Sequence, residues 1–248
     1  MTAVAVLPFY RPKRAELTWR RLWPALTLGV VLASMNLSFY EAVGRLGLGI
    51  AATIEFLGPF ALALFGSRRP LDVGCALAAA ADVVLLTGTE GAVDPLGVVL
   101  ALTAAASWAA YILLTRQVAM RLPGLEGLSV ASVVATVLTV PLALVALDSS
   151  RIDVRVAGLL LAAGILYSAV PYSLDTFILR RITPRLYAVI TSLGPVIATV
   201  FGVYVLDERF TAVQLTGVLI VCAAAAVTLA TQRERPRSEL ESTADSIP

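Results

Sequence analysis

Leu57-Gly58-Pro59 recurs as Leu193-Gly194-Pro195, a shift of 136 residues, and each copy lies inside an apolar stretch of membrane-spanning length. Under the same shift Arg45 falls on Arg181, Ala52 on Ala188, Ile54 on Ile190, Phe65 on Phe201 and Gly66 on Gly202. The identities between 36–66 and 172–202 cluster around the two prolines, which separates them from the background similarity of an Ala/Leu/Val-rich chain. Internally repeated membrane proteins are built around a site at the repeat interface. The repeat is therefore the first pointer to function.

Composition sets the class. The 248 residues are 58% hydrophobic and 15% charged, against roughly 45–50% and 25% for soluble domains. A helical span needs about 20 mostly apolar residues. Eight stretches qualify: about 22–44, 47–66, 71–88, 96–115, 127–147, 156–179, 186–206 and 212–231. The expectation is an all-α, polytopic membrane bundle with short connections. Residues 1–21 form a basic segment, and 232–248, rich in Arg, Glu and Ser, reads as a disordered tail.

Charge placement orients the bundle. Fifteen Lys and Arg residues, from Arg11 to Arg237, fall at the termini and at every second boundary between spans. The other boundaries carry only Arg45, Arg151, Arg155 and Arg209, with Glu90, Asp94, Asp148, Asp153, Asp207 and Glu208. The positive-inside rule makes the first side cytoplasmic, with both termini inside. Span 47–66 then runs inward and 186–206 outward, so the two Leu-Gly-Pro copies are antiparallel, as an inverted repeat requires. The net charge of +2 reflects this topology and gives no ground for nucleic-acid binding.

Histidine is absent, so His-containing metal sites and catalytic triads are excluded. Cys75 and Cys222 fall in different apolar spans and read as small core residues. Neither a cofactor nor a metal is expected.

A few polar residues interrupt the spans. Glu55 precedes Pro59 by four residues, so both share a helix face; proline leaves a carbonyl unpaired one turn earlier. A carboxyl group at that depth costs about 2.5–3.5 kcal/mol on insertion scales unless it meets a cavity or a proton. Glu55 is accordingly read either as a proton-exchanging acid in a hydrated pocket or as a neutral group bonded to a neighbouring helix. Ser168, Tyr172 and Asp175 form a stripe beside Pro171, the alternative for Asp175 being a pair with Arg180 or Arg181. Asn36 and Tyr40 make a matching stripe, and the repeat sets Asn36 opposite Tyr172. Trp108 and Tyr111 share a face with Ser107, as an aromatic cavity wall or as packing. Thr191 is counted with the cavity residues. Pro59, Pro171 and Pro195 are expected helix kinks. Asp82 is mid-span and has no repeat partner.

These motifs carry a resemblance. Met35-Asn36-Leu37-Ser38-Phe39-Tyr40, Leu48-Gly49-Ile50-Ala51, Glu55-Phe56 with Gly58-Pro59, and Ser67-Arg68-Arg69-Pro70 resemble the EamA-type drug/metabolite transporters. Trp108-Ala109, Tyr111-Ile112-Leu113, Pro171-Tyr172-Ser173-Leu174 and Thr211/Gln214 fit the same group. The resemblance reaches to about residue 231 and implies a ten-helix, five-plus-five inverted repeat in the bacterial inner membrane. Eight of those spans are present: 22–88 would hold three spans of the first repeat and 96–231 five spans of the second. Met1–Tyr10 resembles the end of the family's second helix, and the expectation is a longer reading frame or a truncated gene. The family often has a Glu before its second proline, where this chain has Gly194, so proton coupling would rest on Glu55 or Asp175. The implied function is export of small amino acids such as threonine or homoserine in exchange for protons, without enzyme chemistry. The rivals are export of another metabolite or drug, and a non-transporting membrane subunit. Spans 71–88 and 212–231 would be peripheral and open to a second copy of the chain.

Overall fold

The computed structural model describes residues 19–64, 94–146, 153–191, 194–208 and 215–219, with 212 and 223. Every element among them is helical. They are α1 (Trp19–Leu46), α2 (Leu48–Glu55), α3 (Leu57–Leu64), α4 (Pro95–Arg121), α5 (Glu126–Ala146), α6 (Val154–Gly164), α7 (Val170–Arg181), α8 (Pro184–Ile190) and α9 (Gly194–Leu206). A π turn, Ile165–Ala169, joins α6 to α7.

Three helices among the described residues are long and apolar enough to cross a bilayer: Leu22–Leu46, Pro95–Arg121 and Val154–Arg181. Leu48–Leu62, Glu126–Leu142 and Gly194–Leu206 are shorter apolar segments. The expected eight spans are thus not all observed as such. Residues 71–88, most of 212–231, Asp82, both cysteines and Thr211/Gln214 lie outside the described residues.

Two expected spans prove to be broken helices, and proline chemistry explains where. Pro59 has no N–H for the carbonyl of Glu55, and α2 ends at Glu55 with α3 starting at Leu57. Pro195 has none for the carbonyl of Thr191, and α8 ends at Ile190. Pro171 has none for Tyr167, which lies in the π turn; there the Val170 N–H reaches back five residues to the Ile165 carbonyl. Each interruption falls about one turn before its proline.

Helix bounds follow the 136-residue shift. Shifted, α2 covers 184–191, against the observed Pro184–Ile190, and α1 covers 155–182, against the composite Val154–Arg181. The broken helices cross in reversed order: α2 packs on α9, and α3 on α8. They therefore lie antiparallel.

The packing is that of membrane helices. α1 lies along α4 and α5, where Ala101, Ala104 and Ala131 are fully buried and Ala105 nearly so. Lipid tails are as apolar as leucine, so close approach of small residues, rather than exclusion of water, holds such helices together. Leu28, Tyr111, Ile112, Leu128 and Leu179 fill the centre. Several threonine hydroxyls bond to carbonyls one turn back, as Thr53 does to Gly49 at 2.7 Å and Thr199 to Pro195 at 2.9 Å, which satisfies them without water. Large apolar side chains face outward, Val145 and Val154 each at 91% exposure. A bilayer accepts that surface.

The N-terminus of α2 is closed from the other end of the chain. Glu208 accepts from the Leu48 N–H at 2.5 Å and the Gly49 N–H at 3.3 Å, placing a carboxylate where the helix dipole favours one. Gly47, at φ 82°, makes the preceding turn against the same carboxylate.

Candidate functional site: a polar cavity between the helices

A cavity of about 200 Å³ lies where α1, α2, α4, the π turn, α7 and α8 converge. Each element contributes through its own periodicity. α1 presents Met35, Asn36 and Phe39, one turn of a helix face, and α4 presents Trp108 and Tyr111 three residues apart. Glu55 enters from the last residue of α2, beside the break that Pro59 imposes. Tyr167 comes from the π turn, Tyr172 and Asp175 from α7, and Tyr187 from α8.

Hydrogen bonds knit this wall. The Tyr111 hydroxyl donates to Asp175 Oδ2 at 2.9 Å, and Tyr111 is 1% exposed. Asp175 is thus held by a tyrosine. Arg180 donates instead to the carbonyls of Leu122 and Gly124, at 3.0 and 2.9 Å, so the Asp175–Arg180 pairing considered from sequence is not formed. The Asn36 amide and Tyr172 hydroxyl lie within bonding distance through both amide atoms, Nδ2 at 3.0 Å and Oδ1 at 3.2 Å. These residues are separated by the repeat shift of 136.

Glu55 has no hydrogen-bond partner among the described residues, and no lysine or arginine among them lines the cavity. The aromatic groups stand close: the Tyr111 and Tyr172 ring centroids are 5.5 Å apart, and Trp108 meets Phe56 edge-on at 6.4 Å. A second, more open cavity of about 490 Å³ adjoins the first, with Asn36, Tyr167 and Tyr172 in the wall of both. Tyr40 and Ser168 line this outer space, and Tyr40 faces Tyr167 with centroids 6.0 Å apart.

Six residues expected from sequence (Glu55, Asn36, Trp108, Tyr111, Tyr172 and Asp175) therefore line one small cavity, and Tyr40 and Ser168 line its neighbour. Thr191 lines neither: its hydroxyl is within bonding distance of the carbonyls of Tyr187 and Ala188, 3.2 and 3.1 Å away, on its own helix. Ser107, expected on the face of Trp108 and Tyr111, turns instead toward Ser34, with the hydroxyls 3.2 Å apart. Tyr167 and Tyr187 were not anticipated. Their repeat equivalents are Val31 and Ala51, so duplication carries no trace of them. Only the four-residue interval from Tyr187 to Thr191 hints that Tyr187 shares a polar face.

At the C-terminal end of α1 Arg45 binds Asp94 at 2.6 Å and approaches Glu41 at 3.7 Å. Asp94 also caps α4, accepting from the Leu96 N–H at 3.0 Å. The Arg45 hydrogen bond holds the Asp94 carboxyl below the usual carboxylate range.

An all-helical membrane bundle with interrupted helices around a polar cavity has the architecture of a multi-pass membrane transporter. The chain belongs to the EamA-like transporter family, whose profile matches residues 95–230. It is 34% identical over 235 residues to the threonine/homoserine exporter RhtA of Salmonella typhimurium strain SL1344, covering 94% of this chain and 79% of that protein. The RhtA of Escherichia coli K12 is 35% identical over 240 residues, covering 95% and 81%. A solved crystal structure with 22% identity aligns at a TM-score of 0.60 over 93% of this chain and 82% of its own, a likeness of fold. These relationships point to a transporter rather than an enzyme.

Proposed function

We propose that the protein exports small amino acids of the threonine/homoserine type across the bacterial inner membrane by alternating access, in exchange for protons. Both RhtA relatives, alike over most of their length, support that cargo. The observation that carries the reading is the convergence of Glu55 and Asp175 on one cavity beside the Asn36–Tyr172 contact. A site at a repeat interface is where alternating access is organised, since rocking one half against the other exposes it to each side in turn.

In this account residues 22–88 supply three spans of the first repeat and 96–231 the five of the second in a five-plus-five inverted arrangement, with both termini cytoplasmic. The reversed packing of α2–α3 on α8–α9 supports it. Breaks before Pro59, Pro171 and Pro195 supply bending points. Glu55 exchanges a proton for cargo; Asp175, held by Tyr111, orients that cargo.

Efflux from proteoliposomes loaded with a panel of labelled amino acids tests the reading. L-threonine and L-homoserine should leave faster than from protein-free vesicles and faster than bulky or acidic amino acids. Efflux of none of them would overturn the assignment.

A further inference from the structure

We infer that the inner cavity grips its cargo by the ammonium group alone, so that small primary amines without a free carboxylate are equally good ligands. The inference rests on the transporter reading above and narrows it to a chemical class.

The wall argues for a cation. Glu55 is without a hydrogen-bond partner among the described residues, and Asp175 has Tyr111. No lysine or arginine among the described residues lines the cavity to neutralise them. Carboxylates taken from water into such a space are costly unless paired, and an incoming ammonium offers both the charge and three donors. Apart from Met35 and Asn36 the remaining wall is aromatic, with Trp108, Tyr111 and Tyr172 around the same space. Aromatic faces attract cations and leave anions unassisted.

The same wall is poor for an anion. A buried carboxylate is normally met by arginine, lysine or a helix N-terminus. Here Tyr111 is engaged with Asp175 and Tyr172 with Asn36, which leaves only neutral donors among the described residues, the Tyr167 and Tyr187 hydroxyls and the Trp108 indole N–H. The volume of about 200 Å³ falls below the roughly 300–1,000 Å³ of drug-sized sites, which limits the cation to a small one. An amino acid would bind with its ammonium inward and its carboxylate toward the wider outer cavity.

Three probes separate the possibilities: L-threonine, its methyl ester, which keeps only the ammonium, and N-acetyl-L-threonine, which keeps only the carboxylate. Binding to the purified full chain is read by calorimetry and by quenching of Trp108. The ester should bind at least as tightly as threonine. N-acetyl-threonine should bind about 10-fold more weakly or worse, the scale of losing one charge-assisted hydrogen bond. Glu55→Gln should weaken the ester by a similar factor; the wild-type comparison decides the matter if that variant does not fold. An ester 10-fold weaker than threonine, or N-acetyl-threonine equal to it, would overturn the inference. Threonine efflux with no ester binding would sink the inference and leave the transporter reading standing. Ester binding without efflux of any amino acid would do the reverse.

Discussion

Replacing Gly58 by alanine should destabilise the protein sharply, whereas the same change at its repeat equivalent, Gly194, should not. A methyl group on Gly58 would lie 2.8 Å from the carbonyl carbon of Ala105 and closer still to its oxygen. Carbon pairs are comfortable at about 3.5–4.0 Å, so α3 would have to retreat from α4 by roughly 1 Å. Both sides of the contact are backbone, and no side chain can rotate away. Overpacking costs about 1–3 kcal/mol, and the upper end applies where nothing yields. At about 2–4 °C per kcal/mol for a chain of this size, Tm should fall by roughly 6–12 °C. A methyl group on Gly194 would meet no atom of another element within 4 Å among the described residues. Gly194 is the first residue of α9, where alanine gains less than the roughly 0.5–1 kcal/mol of a helix interior, so Tm should hold or rise slightly. Thermal unfolding of the detergent-solubilised variants, followed by size-exclusion recovery, makes the comparison. Equal losses at the two positions would refute the reasoning, as would a neutral Gly58→Ala.

Two further outcomes follow from the Asn36–Tyr172 contact and from the ion pair at the end of α1. A double-mutant cycle of Asn36→Ala and Tyr172→Phe should give a coupling of about 1 kcal/mol, the worth of one neutral hydrogen bond; strictly additive losses would mean the pair does not interact. Because Arg45 lowers the pKa of Asp94 in the folded protein, its contribution is complete above the unfolded carboxylate value and vanishes as pH falls through the folded one. Asp94→Asn keeps an N-cap at α4 but should flatten the acid limb of a Tm-against-pH curve below about pH 4. Raising the salt concentration should shrink the difference, since the pair is exposed.

Part of the cavity wall was legible in a regularity of the sequence, the 136-residue shift. Asn36 and Tyr172 could be paired from a shift of 136 residues alone, and Glu55 stood out because carboxylates are rare where lipid surrounds them. Their meeting with Asp175 needed the tertiary fold. The π turn defeated periodicity at Tyr167: one extra residue in the turn changes which side chains face inward, and a 3.6-residue stripe cannot anticipate it. Tyr187 was missed because the duplicated position is Ala51. Thr191 lies outside both cavities described, and its hydroxyl is satisfied by carbonyls of its own helix, as membrane threonines can be. The helix interruptions lie about a turn before the prolines, at the carbonyls that proline leaves unpaired.

The most direct test of the account is threonine flux under an imposed pH gradient in proteoliposomes, wild type against Glu55→Gln. Wild type should move labelled L-threonine against the proton flow and lose that movement when the gradient is collapsed. Glu55→Gln, folded by size-exclusion, should lose the pH-driven component. Gradient-driven flux that is unchanged in Glu55→Gln would contradict the assignment of the cavity carboxylate as the proton-exchanging group.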